Sequence, residues 1–239
     1  MAYSLGVDPE FLDESPMLSA LLFDLDGTLV DSNPVHYRAW KQILTEFGID
    51  LDQPTYDRQI SGRTNAEIVA DLLPQLSVAE GAALSDRKEQ CYRDWARETL
   101  APLAGFDRLW QRLGDRGWRS AVVTNAPRAN AELVLSVVGA GDRAFQSLGP
   151  VILAEDCPAG KPDPAPYRIA LERVNVAAEQ AIAFEDSPAG IRSAVAAGIE
   201  TIALTTSHPA AQLYGAGATL AIADFHDPAL WRRLDEREA

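Results

Sequence analysis

The chain has 239 residues, 47% of them hydrophobic and 23% charged, which is typical of a globular protein with one domain or a core plus a smaller insert. Its formal net charge of −14 argues against binding nucleic acid or anionic membranes, because both require basic surface. No apolar run approaches the roughly 18 residues of a membrane span, so none is expected.

The first 17 residues carry four acidic residues and no basic one, which is unlike a secretory signal and predicts a short acidic tail. The two cysteines, Cys91 and Cys157, are far apart in the sequence and are expected to be reduced thiols. These features predict a cytoplasmic protein, with a monomer as the default oligomeric state.

Short apolar runs alternate with amphipathic helical patterns along the chain. Strands are predicted at residues 20–24, 120–124, 151–153, 181–184 and 201–204, with a weaker sixth at 220–223. Helices are predicted between the later strands at residues 105–115, 128–138, 164–174 and 189–197. Connections of this length suit βαβ units, so the pattern predicts an α/β fold with a mostly parallel sheet covered on both faces.

The first connection breaks this rhythm, because residues 25–119 are far more than one crossover needs. Within them, residues 34–100 are strongly helical, with helices predicted at 33–47, 65–73 and 78–98. A helical cap over residues 34–100 is therefore predicted above the carboxyl edge of the sheet, where open α/β sheets bind ligands. The core would comprise residues 18–33 and 101–239.

Two carboxylates follow the first predicted strand, in the segment LLFDLDGTLVDS. Asp24 and Asp26 face the same way in extended chain, and Gly27 allows a sharp turn after them. Acids this close repel each other unless a cation lies between them, so they predict a Mg²⁺ site shared with a substrate phosphate. A pair of solvated aspartates is the plain alternative. A calcium loop starting at the first aspartate is excluded, because Leu29 and Val35 occupy the places of its required Gly and Glu.

Three further polar segments follow predicted strands or open the next helix. They contribute Thr124, Asn125, Lys161, Glu185 and Asp186. Taken singly, each has a structural explanation. The threonine could cap a helix, the lysine could lie on the protein surface, and the acidic pair could form an exposed turn. Together they would bring carboxylate, hydroxyl and ammonium groups to one edge of the sheet, which is the set that phosphoryl transfer requires.

The four segments resemble, in the same order, the four motifs of the haloacid dehalogenase-like superfamily, and they extend over residues 20–200. The resemblance implies a doubly wound, Rossmann-like core with the helical cap inserted after the first motif. It implies that Asp24 is the nucleophile, that Asp26 is the general acid and base, and that the phosphoryl oxygens are held by Thr124 and Lys161. It also implies Mg²⁺ bound by Asp24, the Asp26 backbone carbonyl, Asp186 and, directly or through water, Glu185.

The segment DSNPVHYRAWK resembles the β-phosphoglucomutase-like branch of this superfamily, which includes sugar-phosphate phosphatases. By this resemblance His36 would lie near the second aspartate, while Arg63 and Lys88 would face the distal part of the substrate. Trp40 shares a helix face with His36, and Arg128 is a further candidate for an anion contact, as Asn125 is for the substrate. Each side chain also has a structural alternative, as cap packing or a solvated charge.

These observations predict a Mg²⁺-dependent phosphatase that acts on a small phosphorylated metabolite, of sugar-phosphate or phosphoglycolate type, through an aspartyl-phosphate intermediate. A β-phosphoglucomutase-type mutase is the alternative, because Arg63 and Lys88 could hold a second phosphate. The GRTNAEI turn and the GTL after Asp26 favour the phosphatase. A non-catalytic protein that binds phosphorylated metabolites is the third possibility, and the presence of Asp24 and Asp26 argues against it.

We expect the two cap connections, at residues 30–33 and 101–104, to act as hinges that open for substrate and close to exclude water. Spin labels placed on the cap and on the core should then report a shorter mean distance in the presence of Mg²⁺ and inorganic phosphate. An unchanged distance distribution with and without these ligands would show that both connections are rigid.

Overall fold

The computed structural model describes residues 17–139 and 148–238, so the predicted acidic tail lies outside the described residues except for Met17. Six parallel strands form one sheet in the order β3-β2-β1-β4-β5-β6, and the chain order reverses at β1. The strands are β1 Ala20–Phe23, β2 Arg119–Thr124, β3 Val151–Leu153, β4 Ala181–Glu185, β5 Glu200–Leu204 and β6 Leu220–Ile222. The predicted doubly wound parallel sheet is thereby confirmed.

Ten α-helices accompany the sheet in the described part of the chain. They are α1 Asn33–Thr45, α2 Gln53–Gln59, α3 Asn65–Leu72, α4 Val78–Thr99, α5 Phe106–Arg116, α6 Arg128–Gly139, α7 Ala165–Val174, α8 Pro188–Ala196, α9 Ala210–Ala216 and α10 Pro228–Glu238. Across residues 17–139 and 148–238, none of them combines the length and apolar character that a bilayer crossing demands.

The helices predicted from sequence agree with these bounds to within two residues at each end. Both α3 and α4 begin with a capping box, formed by Thr64 with Glu67 and by Ser77 with Glu80. This Ser/Thr-x-x-Glu pattern marks the start of a helix in the sequence. Helices α2, α9 and α10 were not predicted. The first two have seven residues each, too short for a clear helical repeat.

Strand β1 lies inside the sheet, with β2 on one side and β4 on the other. Its side chains alternate between two apolar clusters, because Leu21 and Phe23 pack on one face and Ala20 and Leu22 on the other. A strand covered on both faces must be apolar throughout, as the ALLF segment is. The polar residues that follow this strand therefore emerge from the sheet at its carboxyl edge.

Helices α1–α4 form an insert between β1 and the rest of the sheet, with an apolar cluster of its own that includes Trp40, Ile43 and Leu44 of α1. A smaller cluster joins α1 and α4 through Val35 and Tyr92 and also touches Leu133 of α6. The helical insert is thus held against the sheet part of the molecule by α4 packing on α6.

The aromatic cluster around Phe23, in the apolar core on one face of the sheet, should be a main source of stability. Phe23 is fully buried, stacks on Phe184 with ring centroids 5.2 Å apart, and meets Phe106 edge-on at 5.5 Å. Phe23→Ala is expected to lower the free energy of unfolding by about 3–5 kcal/mol, measured by urea denaturation. Phe47→Ala is the matched control, because Phe47 is 38% exposed and should cost less than half as much. Equal losses would contradict this assignment.

Candidate active site

The loops that follow five of the strands, β1 to β5, open into one cavity of about 330 Å³, within the size range of small-molecule sites. The carboxyl edge of the sheet supplies one wall of this cavity and the helical insert supplies the other. From the sheet side the wall includes Asp24, Asp26, Thr124, Lys161 and Asp186. Five of the residues singled out in the sequence therefore lie around a single space, as expected for the carboxyl ends of parallel strands.

Lys161 lies at the centre of the buried part of the site and contacts three of its groups. Its ammonium nitrogen lies 2.6 Å from Asp24 Oδ1 and 2.5 Å from Glu185 Oε1, and it donates to the carbonyl oxygen of Val123 at 2.6 Å. Tyr167 donates its hydroxyl to the same oxygen of Glu185 at 2.7 Å. All three hydrogens of the ammonium group are engaged, so Lys161 and the Asp24 carboxylate hold each other in one orientation.

Three buried carboxylates, of Asp24, Glu185 and Asp186, each place an oxygen within 4.8 Å of the others. Burial raises the pKa of Asp24 to about 7, with Glu185 adding to the rise and Lys161 opposing it. Burial, with the charges of Asp24 and Glu185, raises the pKa of Asp186 well above its ordinary value. One ammonium group cannot neutralise three carboxylates, and a cluster of hard oxygen donors with excess negative charge fits a divalent cation such as Mg²⁺.

Gly27 lets the chain turn close to this cluster. Its φ of +77° favours glycine, and a Cβ at this position would lie 2.0 Å from Asp186 Oδ2. The turn is fixed by a hydrogen bond of 2.7 Å from the Gly27 amide to the carbonyl of Val30. A side chain at residue 27 would therefore displace a carboxylate of the cluster.

The loop after β5 also belongs to the site, although it was not predicted from the sequence. Ser207 donates a hydrogen bond to Asp186 Oδ2, and His208 Nδ1 lies 3.2 Å from the Asp186 carbonyl oxygen. Both residues line the cavity. The available signal was the run of polar residues directly after an apolar strand, the same signal that marks the other loops of this edge.

Asp26 faces the helical insert. Tyr92 of α4 donates its hydroxyl to Asp26 Oδ1 at 3.0 Å, and His36 Nε2 lies 3.7 Å from the same oxygen. Burial would raise the pKa of Asp26, but interactions with His36, Ser32 and Tyr92 outweigh it and hold the pKa below its ordinary value. Asp26 is thus an ionised carboxylate beside the buried cluster.

A chain of polar contacts continues from His36 into the insert. Lys88 Nζ lies 2.9 Å from His36 Nδ1 and 2.8 Å from Glu89 Oε1. An ammonium group can only donate, so Nδ1 of His36 accepts and Nε2 carries the proton that faces Asp26. Glu89 also accepts from Asn65 of α3, at 2.6 Å.

Glu89 joins the insert to the sheet part of the molecule as well, because its second oxygen accepts from Asn130 of α6 at 2.6 Å. Asn130 in turn accepts from Arg93 of α4 at 2.9 Å. Neither Glu89 nor Asn130 was predicted from the sequence. Their contact connects helices that are separated by a strand and a helix in the chain, and no local pattern marks it.

Thr124 and Asn125 lie at the tip of β2. The Thr124 hydroxyl oxygen accepts from the Ala126 amide at 3.0 Å, which leaves the hydroxyl hydrogen to be donated toward the cavity. Asn125 brackets the backbone of Lys161, donating to its carbonyl at 3.1 Å and accepting from its amide at 3.0 Å. Asn125 therefore positions the loop that carries the lysine.

The remaining predicted contacts divide between the cavity and the outer surface. Trp40 and Arg63 line the cavity, and Arg63 is paired with Asp71 at 2.5 Å. Arg128 lies outside the cavity wall, where it pairs with Asp156 at 2.8 Å and with another acidic neighbour. The structure therefore brings every predicted site residue to the cavity or its buried base except Arg128.

The sequence matches the family model for the haloacid dehalogenase-like hydrolases over residues 21–204, which span all four motif segments. This match covers most of the chain, so the protein belongs to the haloacid dehalogenase-like hydrolase family. The resemblance recognised in the sequence is thereby confirmed.

Two curated relatives are phosphatases. The chain is 37% identical over 214 residues to validoxylamine A 7'-phosphate phosphatase of Streptomyces hygroscopicus subsp. limoneus, covering 85% of this chain and 93% of the relative. It is 31% identical over 224 residues to phosphoglycolate phosphatase of Rhodospirillum rubrum, covering 90% and 91%. Among solved structures, CbbY of Rhodobacter sphaeroides in complex with phosphate superposes with a TM-score of 0.78 at 26% identity, covering 92% of this chain and all of CbbY. These similarities support a phosphatase activity.

The raised pKa values predict that binding of a cation such as Mg²⁺ at this cluster would depend on pH. Asp24 has a pKa of about 7 in the folded metal-free protein, against 3.8 ordinarily, so the folded state retains a proton that the unfolded state releases. Stability of the metal-free protein should therefore fall as pH rises from about 4 to about 7.

Because a cation must displace this proton, Mg²⁺ should raise the melting temperature by more at pH 8 than at pH 6, measured by thermal unfolding with and without the metal. Asp186→Asn should largely abolish the rise, whereas Asp50→Asn, at a 95% exposed side chain, should leave it intact. Equal rises at the two pH values would contradict the prediction.

Proposed function

We propose that the protein is a Mg²⁺-dependent phosphatase that hydrolyses small phosphomonoesters through an aspartyl-phosphate on Asp24. The observation that carries the proposal is the placement of Asp24, oriented by Lys161 at 2.6 Å and beside two further buried carboxylates. The phosphatase relatives support the same class of reaction. The helical insert, within residues 34–100, serves in this proposal as the cap of a core formed by residues 18–33 and 101–239.

In the first step a carboxylate oxygen of Asp24 attacks phosphorus and the bond to the ester oxygen breaks. Thr124 is placed to donate its hydroxyl to a phosphoryl oxygen, and Lys161 keeps the nucleophile oriented. Mg²⁺, held by Asp24, Asp186 and the Asp26 carbonyl with assistance from Glu185, would supply neutralisation of the phosphoryl charge.

Asp26 handles the protons of both steps. Its carboxyl group is ionised before substrate binds, so in this proposal it takes up a proton from solvent as the phosphomonoester binds. This proton then passes to the departing alkoxide, which leaves as an alcohol. The resulting carboxylate then takes a proton from the water that attacks the phosphorus of the intermediate. Inorganic phosphate leaves, and the carboxylate of Asp24 is regenerated.

The insert supplies the walls for the leaving group. His36, Trp40, Arg63 and Lys88 line that side of the cavity and are proposed to face the organic part of the substrate, with Asn125 at the edge of the sheet. Arg128 would have to leave its acidic partners to take part.

Cys91 and Cys157 are free thiols, which supports the proposed cytoplasmic setting. A monomer remains the expected oligomeric state.

The mutase alternative requires a free cation in the insert for a second phosphate. Arg63 is already paired with Asp71 at 2.5 Å and Lys88 with Glu89 at 2.8 Å. A second phosphate would have to compete with these carboxylates, whereas the alcohol part of a monoester would not. The pairing supports the phosphatase over the mutase.

The test is phosphate release from a panel of sugar phosphates, phosphoglycolate and β-glucose 1-phosphate, with Mg²⁺ or with EDTA. We expect Mg²⁺-dependent release that falls by at least about 10³-fold in Asp24→Asn, because the nucleophile is removed. Asp50→Asn, at an exposed aspartate of the insert, is the control and should retain wild-type activity. Glucose 6-phosphate formed with little free phosphate would instead establish the mutase, and activity that survives Asp24→Asn would refute the nucleophile.

A further inference from the structure

Tyr92 connects the helical insert to the reacting part of the site. It lies in α4 and is fully buried, and its hydroxyl donates to Asp26 Oδ1 at 3.0 Å. Its ring stacks on the ring of His36, with centroids 4.1 Å apart and planes 7° from parallel. The phenol is therefore held from one side by packing and from the other by the carboxylate.

Two residues of the insert, Tyr92 and His36, approach Asp26 Oδ1, and the hydrogen bond from Tyr92 is the shorter contact. His36 Nε2 lies 3.7 Å away, outside the usual range of an N–H···O bond, whereas the phenol oxygen at 3.0 Å is within hydrogen-bonding distance. A hydrogen bond to an ionised group is stronger than one between neutral groups, so the phenol has the greater hold on the carboxylate. A phenylalanine at residue 92 would keep the stacking and lose the bond to Asp26, together with the hydroxyl's interaction with Ser32.

We propose that Tyr92 is a positioning residue that orients Asp26 for proton transfer. This inference rests on the proposed function, because it takes Asp26 as the general acid and base. The phenol anchors Oδ1, so the proton that passes to the leaving alkoxide, and later comes from water, is carried by Oδ2. Because Tyr92 belongs to the insert and Asp26 to the β1 loop, the acid is oriented only while the insert rests on the sheet.

The kinetic test compares two leaving groups in Tyr92→Phe. A sugar alkoxide needs a proton as it leaves, whereas the nitrophenolate of p-nitrophenyl phosphate leaves without one. We expect kcat/KM for the best sugar phosphate to fall about tenfold or more, part of the ~10²–10⁴-fold that general acid catalysis contributes. For p-nitrophenyl phosphate kcat/KM should fall less than about threefold, because this parameter covers only the steps up to release of the leaving group.

Tyr37→Phe is the matched control. Tyr37 is also a tyrosine of the insert, and its hydroxyl donates to the backbone carbonyl of Leu51 at 3.1 Å, away from the cavity. This variant should leave both substrates unaffected. If Tyr92→Phe lowers kcat/KM equally for both substrates, or for neither, the positioning role is wrong and Tyr92 only packs.

A second measurement does not depend on turnover. Crystal structures of the wild type and of Tyr92→Phe should show the Asp26 carboxylate turned away from its wild-type position in the variant, with the ring still stacked on His36. A carboxylate that stays in place would overturn the proposal. Failure of the wild type to release phosphate from any ester would count against the proposed function, and the two crystal structures would still decide the role of Tyr92.

Discussion

The contact of the Lys161 ammonium group with the buried carboxylates of Asp24 and Glu185 is the interaction on which the rest of the site depends. Two acids cannot share a buried site without a counter-charge, because removing an ionised group from water is costly. The lysine offsets part of that cost and also fixes Asp24 in direction. Its own position is set by Asn125, which holds the loop backbone, and by the carbonyl of Val123 in the neighbouring strand. The carboxyl edge of the sheet thus carries an excess of negative charge, and Lys161 of the same edge holds the carboxylates in place.

That excess gives the site its chemical character. A carboxylate with a pKa near 7 is partly neutral and partly charged at neutral pH unless a cation binds beside it, so the charge of Asp24 depends on what else occupies the cavity. Asp26 behaves differently, because His36 and Tyr92 of the insert, together with Ser32, hold its pKa low. Two aspartates separated by one residue therefore have opposite electrostatic surroundings, one set by the sheet and the other by the helices above it.

The sheet, its strands and the residues at their carboxyl ends could be predicted from the sequence for a physical reason. Parallel strands buried on both faces must be apolar, so polar residues directly after them are conspicuous, and they share an edge. The sequence could not predict the roles of Tyr92, Glu89 and Asn130, because their contacts depend on how the insert lies on the sheet. Arg128 follows the strand-end pattern in sequence, yet its helix turns it outward to Asp156, and no local signal distinguishes it from an inward residue.

Helix α4 carries Lys88, Glu89 and Tyr92 within little more than one turn. The same turn therefore lines the cavity, connects the insert to α6 and contacts Asp26. A helix is stiff, so a substitution that moves this turn to reshape the cavity also moves Tyr92, which holds Asp26. The turn around Arg63 also lines the cavity, but the contacts of the Arg63 side chain are to Gln59, Glu67 and Asp71 and not to the aspartates of the β1 loop. The wall of the cavity can therefore change at the Arg63 turn without disturbing Asp26, whereas a change in this turn of α4 disturbs both.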